Sequence, residues 1–173
     1  GPLRLVPALI EGTGQDAALL VRGQAKTPGA LVPRRFLEVL SGTDQPSISS
    51  GSGRLQLAER VLASSNTLLA RSLGNRIWKG HFGEGLVRSM DDFGVMGEKP
   101  SHPELLDWLA DRVVKEHWSI KQMHRLIVQS SAYRMSSRVC DLTTEAADPN
   151  NRLLHRANIR RLEAEEVRDA ILS

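Results

Sequence analysis

The sequence predicts an all-α fold, an irregular bundle of four or five helices preceded by an extended N-terminal arm. Apolar residues recur at the three- and four-residue spacing of helices in several segments after residue 53. Two serines, Ser101 and Ser119, stand where helix N-caps are expected. The sequence lacks the internal repeat of about 20–50 residues that a solenoid would show. A chain of 173 residues is long enough to bury a core without a disulfide or a metal.

The first 53 residues are expected to form an arm and linker rather than a domain. Residues 18–23 make a short apolar run that predicts a strand or an extended segment. Pro28-Gly29 indicates a turn, and residues 41–53 are rich in Gly, Ser, Asp and Thr, which is typical of a loop.

A helical domain is predicted over residues 54–173. Leu55, Ala58 and Val61 place one apolar face on a helix that begins near Arg54. A second helix is predicted over residues 67–81, and it is ended by Gly83 because glycine readily adopts the conformation that follows a helix. Residues 83–102 lack periodicity and form a long connection of the kind that is often functional or packed against the body of a domain.

The clearest start signal is Ser101-His102-Pro103-Glu104, which fits a capping box with Ser101 at the N-cap. Ser119 with Gln122 repeats the device and begins a third helix that ends near Ser131. These two helices are expected to be antiparallel and joined around Trp118. Residues 135–150 are predicted as a loop and residues 160–171 as a last helix. Because the chain ends inside that helix, we expect the domain to be truncated at its C-terminus.

Composition excludes several classes of protein. The net charge is +3, and basic and acidic residues are interspersed, whereas a nucleic-acid-binding protein usually concentrates its basic residues on one face. No apolar run is long enough for a membrane span. The single cysteine, Cys140, cannot form an intramolecular disulfide or the paired thiols of a covalent haem site. We therefore expect no nucleic-acid partner, no membrane span and no cofactor.

Common catalytic motifs are absent, and the candidate chemistry lies with the histidines. No glycine-rich nucleotide loop, zinc-protease helix motif or serine-hydrolase elbow occurs. If the long connection folds back, His81 and His102 could meet with Asp92, and such a set is a candidate metal or hydrolytic site. The alternative is that both histidines only complete helix ends.

A second group, Asp107, His124 and Arg125, is a candidate polar network between helices. Buried networks of this type more often fix geometry than catalyse. Asp107 is nevertheless a further catalytic candidate, and His124 and Arg125 are binding candidates.

The stretch from Asn75 to Arg168 resembles a known family, the planctomycete-type domain of unknown function 1553. The resemblance is firm over residues 54–173 and weaker upstream. Two positions depart from the pattern: His117 stands where glycine commonly precedes the Trp-Ser pair, and Gly74 replaces a larger apolar residue. The residues that carry the resemblance include Asn75-Arg76-Ile77-Trp78, His81-Phe82-Gly83, Asp92-Phe93-Gly94, Pro100-Ser101-His102-Pro103-Glu104-Leu105-Leu106-Asp107-Trp108-Leu109, Trp118-Ser119-Ile120-Lys121, His124-Arg125-Leu126-Ile127 and Asn151-Arg152-Leu153-Leu154.

The resemblance implies a place in a large exported bacterial protein, periplasmic or extracellular, beside a cytochrome-c-like domain. It supplies no activity. We therefore expect a binding or scaffolding module whose partners are other domains of the same polypeptide, such as a haem c domain, or a polysaccharide. Asn75 and Arg76 join the binding candidates, since the polar residues from Asn75 to Asp107 would shape a cleft or lock the fold. The alternative is a hydrolytic enzyme that uses His81, Asp92 and His102, with or without a metal.

Overall fold

A computed structural model describes residues 8–63, 65–139 and 141–172 of the chain. The chain divides into two compact units, Gly1–Asn66 and Thr67–Ser173. The described residues form seven α-helices and one two-stranded sheet. The fold is therefore largely helical, as predicted, but it is not purely all-α, and the described residues form seven helices where four or five were predicted. The predicted domain boundary between residues 53 and 54 stays a prediction.

The sheet is a hairpin in the N-terminal unit. Strand β1 (Ala17–Leu20) pairs antiparallel with β2 (Pro28–Val32), with Ala17 opposite Val32. The strand or extended segment predicted from residue 18 is confirmed, whereas the turn predicted at Pro28-Gly29 is wrong. Proline is tolerated as the first residue of a strand, and the chain reverses just before it, through a 3₁₀ turn over Val21–Gly23 and a second turn in which the Thr27 N–H donates to the Gln24 carbonyl.

The rest of the N-terminal unit contains a single-turn helix, α1 (Glu38–Ser41), and the predicted helix α2 (Arg54–Leu62). The buried apolar side chains among the described residues all lie in the other unit. Polar contacts hold this unit instead. The Arg34 guanidinium donates to the Asp16 carboxylate at 2.9 Å and to the carbonyls of Ile48 and Gly51.

The helical unit is built on three packed helices, α3 (Thr67–Phe82), α4 (Pro103–Lys115) and α5 (Ile120–Val128). Helix α3 packs against both α4 and α5, and α4 packs against α5. Trp78 and Phe82 stack with their ring centroids 4.1 Å apart. The buried core consists of Ile77, Trp78, Phe82, Leu86, Val87, Leu106, Leu109, Val113, Met123 and Ile127.

Helix α4 begins as predicted, but the capping box does not form. His102 is the N-cap residue because Pro103 occupies the first helical position, and no side chain caps the helix. The Ser101 hydroxyl contacts the His102 ring instead, and the Ser101 N–H donates to the Leu86 carbonyl. The cap at α5 is confirmed, since the Ser119 side chain accepts from the Gln122 N–H.

Two further helices lie in the C-terminal part. Helix α6 (Leu142–Ala147) falls inside the predicted loop, so that prediction is wrong. Its N-cap is Asp141, whose carboxylate accepts from Thr143 and Thr144, and these hydrogen bonds lower the pKa of Asp141 to about 2. Helix α7 (Ala164–Leu172) begins later than predicted, and none of its described residues is buried.

The connection between α4 and α5 requires two residues in the left-handed conformation. His117 has φ 52° and Trp118 has φ 61°. The N–H groups of both donate back to α4, to the carbonyls of Val114 and Val113. A side chain at such a φ costs free energy that glycine does not. The departure from glycine at residue 117 therefore leaves strain in this turn.

We expect His117→Gly to raise the free energy of unfolding by about 1 kcal/mol relative to His117→Ala. Both variants remove the imidazole, and only the first relieves the left-handed backbone. Urea denaturation of the two variants measures the difference. Equal stabilities would show that residue 117 is not strained.

Candidate functional site

Asn75, a binding candidate, is fully buried in the middle of α3. Its side-chain NH₂ donates to the Val87 carbonyl at 2.8 Å, and its carbonyl oxygen accepts from the Val87 N–H at 3.0 Å. The same NH₂ lies 3.3 Å from the Met90 sulfur. Both backbone groups of a buried loop residue are thus satisfied by one side chain. Asn75 is engaged in holding the connection after α3 and has no access to a ligand.

The close approach of this connection to Asn75 requires Gly85. A Cβ atom at residue 85 would lie 2.6 Å from the Val87 carbonyl oxygen and 2.8 Å from the Asn75 amide. Such distances are shorter than any side chain accommodates without displacement of the backbone. The glycine therefore belongs to the same arrangement as Asn75.

Asp92, a catalytic candidate, organises the far end of the same connection. Its carboxylate accepts from the Gly94 N–H at 2.8 Å, and its backbone carbonyl accepts from the Ser89 hydroxyl. Asp92 is exposed, and its recorded partners are residues of its own turn. The predicted meeting of Asp92 with His81 and His102 is not among the contacts of the described residues.

Three other candidates, Arg76, Arg125 and Asp107, are engaged separately from one another. Arg76 pairs with Asp91 at 3.2 Å on an exposed surface. Arg125 donates to Gln122 at 3.4 Å on its own helix. The Asp107 carboxylate lies 3.2 Å from Nε of Arg71, although that N–H makes no hydrogen bond. The structure therefore does not bring Asp107 together with His124 and Arg125 in the predicted network. Asp107 instead lies beside Arg71 of α3.

His81 meets His124 rather than His102. The His81 Nε2 and His124 Nδ1 atoms are 2.7 Å apart, which is a hydrogen bond whose direction depends on the tautomers. The Tyr133 ring meets the edge of His81, with centroids 5.5 Å apart. This is the one place in the described residues where two of the candidate residues contact each other. His81 lies in the last turn of α3 and His124 lies on α5, so the pairing follows from the packing of those two helices.

The environment of His81 favours its neutral form. Partial burial lowers the pKa of His81, and the nearby charges of His124 and Arg160 lower it further. The groups that face this ring are His124, Tyr133 and Arg160. No carboxylate contacts either imidazole in the described residues, so neither ring has the acidic partner that orients a histidine base in hydrolases.

His102 lies at the start of α4, where its Nδ1 is 3.0 Å from the Ser101 hydroxyl. No group of three or more His, Cys, Asp or Glu side chains within the described residues is arranged to hold a metal ion. Within the described residues, the metal candidates His81 and His102 therefore belong to no group of three or more metal-ligating side chains.

Asn151, named only as part of the family resemblance, and Asn158 were not among the candidate site residues. Asn151 is buried, has φ 48°, and donates to the Arg156 carbonyl and to the Asn158 side chain. Asn158 in turn donates to the Phe82 carbonyl at the end of α3. The signal in the sequence is the pair of asparagines in a polar segment, since asparagine tolerates a left-handed backbone and bonds its own turn.

The cavity beside Trp78 and Asn151 in the helical unit is small. Its volume is about 20 Å³, which is room for about one water molecule. The long connection and the C-terminal segment therefore fill the space next to the core instead of opening a cleft there.

We expect Asn75→Ala to lower the free energy of unfolding by about 2 kcal/mol or more, because it leaves the buried N–H and C=O of Val87 without partners. The matched control is Arg76→Ala on the adjacent, exposed residue, with a change within about 0.5 kcal/mol. Urea denaturation compares the two. Similar small losses in both variants would contradict the structural role of Asn75.

We expect the stability of the protein to fall as the pH drops below the ordinary pKa of histidine, about 6.5. Because the pKa of His81 is lowered in the folded state, the unfolded chain binds more protons there, and the free energy of unfolding rises with pH across that window.

His81→Gln should make this pH dependence shallower than that of the wild-type chain. Denaturation curves at about pH 5, 6 and 7 provide the test. An unchanged slope in His81→Gln would contradict a lowered pKa.

No helix of the described residues is long and apolar enough to cross a membrane. No curated protein and no solved structure matches the chain. A family model described as "Protein of unknown function (DUF1553)" matches residues 53–173, which is well over half of the chain. The match runs from the residue before α2 to the end of the sequence, and it includes every candidate residue discussed above. The chain therefore belongs to the DUF1553 family.

Proposed function

We propose that this chain is a helical binding or scaffolding module of a larger exported bacterial protein, periplasmic or extracellular. Its partners are other domains of the same polypeptide, such as a haem c domain, or a polysaccharide that those domains process. Membership of the DUF1553 family supports a place within a larger protein. The chemistry would then belong to the neighbouring domains.

The observation that carries the proposal is the way the candidate polar residues are engaged. Asn75 holds the backbone of Val87, Asp92 holds its own turn, and Asp107 faces Arg71. An active site needs such groups to converge on one open space where a reacting atom can sit. Here they are distributed over separate contacts, each of which fixes a helix or a loop.

A hydrolytic function is the second candidate, and the His81–His124 pair is the observation that favours it. A histidine held neutral by its surroundings can accept a proton at neutral pH. The pair lacks a contacting carboxylate within the described residues, and Asp92 and His102 are engaged elsewhere. We therefore place this function below the scaffolding role.

The test applies the purified chain to immobilised cellulose, alginate and carrageenan, and to an immobilised c-type cytochrome domain. Release of reducing ends is assayed on the same polysaccharide samples. The His81→Ala/His102→Ala double variant is run in parallel, with metal content by mass spectrometry and with circular dichroism as a check of folding. We expect the chain to be retained on one of these surfaces without release of reducing ends, and the folded double variant to be retained equally.

Two results would contradict the proposal. Reducing ends that appear with the wild-type chain and disappear with the folded double variant would establish the hydrolytic alternative, above all if stoichiometric metal is lost with them. Failure of the chain to be retained on any polysaccharide or on the cytochrome domain would remove the binding role.

A further inference from the structure

The N-terminal unit contains a cavity of about 580 Å³, formed by residues 34–36, the segment 45–53 and the first turns of α2. This volume falls within the range of sites that take small molecules. All of the lining residues belong to one compact unit. The cavity is distinct from the polar residues on which the proposed function rests.

Arginine side chains are prominent in the lining of this cavity, and three of the four are paired with carboxylates. Four arginines, Arg34, Arg35, Arg54 and Arg60, line it, and Glu59 is the one acidic residue in the lining. Two of these arginines hold the wall in place: Arg34 is bonded to Asp16, and Arg54 donates to the Ile10 carbonyl at 2.8 Å and pairs with Glu11 at 3.7 Å. Arg35 is paired with Glu38 outside the cavity at 2.8 Å.

Arg60 differs from the other three arginines. Its side chain is half-buried, and its guanidinium has no hydrogen-bond or ion-pair partner among the residues that the structure describes. A guanidinium presents several N–H donors in a planar fork that matches carboxylate and phosphate oxygens. Arg60 is therefore available to bind an anion inside this cavity.

Neutral hydrogen-bonding groups accompany this charge. Ser47, Ser49 and Ser50 line the same cavity, together with the apolar residues Ile48 and Leu57. Hydroxyl groups both donate and accept hydrogen bonds, so they suit the polar body of a ligand rather than its charge alone. The start of α2 adds to the positive field, since no side chain caps it and its first turn carries no acidic residue.

We propose that this cavity binds a small oxyanion-bearing ligand with a hydroxylated body, such as an acidic or phosphorylated sugar, and that Arg60 makes the principal contact with the anion. The arginines in the wall hold the loops in place, and the serines contact the ligand body. Acidic sugars and phosphorylated sugars share this chemistry, because each carries an anionic group, a carboxylate or a phosphate, on a polyhydroxylated molecule.

The test is isothermal titration calorimetry on the full chain with four probes: glucuronate, glucose 6-phosphate, inorganic phosphate and glucose. We expect saturable binding of at least one of the two acidic sugars at one site, tighter than that of inorganic phosphate, and no binding of glucose. The acidic sugar with the higher affinity shows whether the site prefers a carboxylate or a phosphate.

Arg60→Gln should weaken binding of the acidic sugar by about tenfold or more, because a charge-assisted contact is lost. Arg60→Lys should retain part of the affinity because it keeps the charge without the planar fork. The matched control is Arg22→Gln, which removes the same charge from the same unit outside the cavity and should change affinity by less than about twofold.

Absence of saturable binding by either acidic sugar would overturn the proposal, and so would equal weakening in Arg60→Gln and Arg22→Gln. Neither result would touch the structural contacts of Asn75, Asp92 and Asp107 that carry the scaffolding role, since none of these three residues lines the cavity. Conversely, a hydrolytic activity traced to His81 would leave this binding site in place.

Discussion

The helical unit depends on the amide of Asn75, which satisfies both backbone groups of Val87 inside the core. The connection between α3 and α4 has no secondary structure of its own in which these groups could be paired. A buried N–H or C=O without a partner costs free energy comparable to a lost hydrogen bond. With the groups satisfied, the side chains of Leu86 and Val87 join the core, and the Leu86 carbonyl accepts the Ser101 N–H just before α4.

Asparagine side chains also bond backbone groups at the C-terminal side of the unit. Asn151 closes its own turn and contacts Asn158, and Asn158 reaches the Phe82 carbonyl at the end of α3. The Arg156 guanidinium makes two hydrogen bonds with the Glu145 carboxylate, which ties helix α6 to this segment. Long connections are therefore fixed by single polar side chains that bond backbone or neighbouring polar groups. Polar residues that resemble candidates for catalysis have a structural role in this arrangement.

The main helices could be predicted from the sequence because their apolar faces follow helical spacing and their ends carry glycine, proline or serine. The second strand and its pairing with the first could not, since the apolar side chains of the hairpin, such as Leu19 and Leu31, are exposed and do not alternate with polar residues on a buried face. Helix α6 was also missed because its six residues are held by the Asp141 cap rather than by an apolar stripe. The capping box predicted at Ser101 does not form, because Pro103 occupies the first helical position and His102 is therefore the N-cap residue.

The candidate site shows a sharper limit of sequence reasoning. His81 was expected near His102 because a loop separates the two in the chain, but loop length alone does not determine which side chains meet. The packing of α3 on α5 brings His81 to His124 instead. Asn75 was singled out by the family resemblance, and its structural role becomes visible only once Val87 is placed beside it. The resemblance thus identified residues that matter without indicating what they do.

The central claim is that the candidate polar residues hold the fold rather than form a reaction centre, and native-state hydrogen exchange at the Val87 amide tests it most directly. If Asn75 clamps this amide in the core, it exchanges only through global unfolding, as slowly as the interior amides of α3. The Gly94 amide, which bonds an exposed carboxylate, provides the internal reference for a loop that opens locally. Exchange at Val87 as fast as at Gly94 would contradict the account.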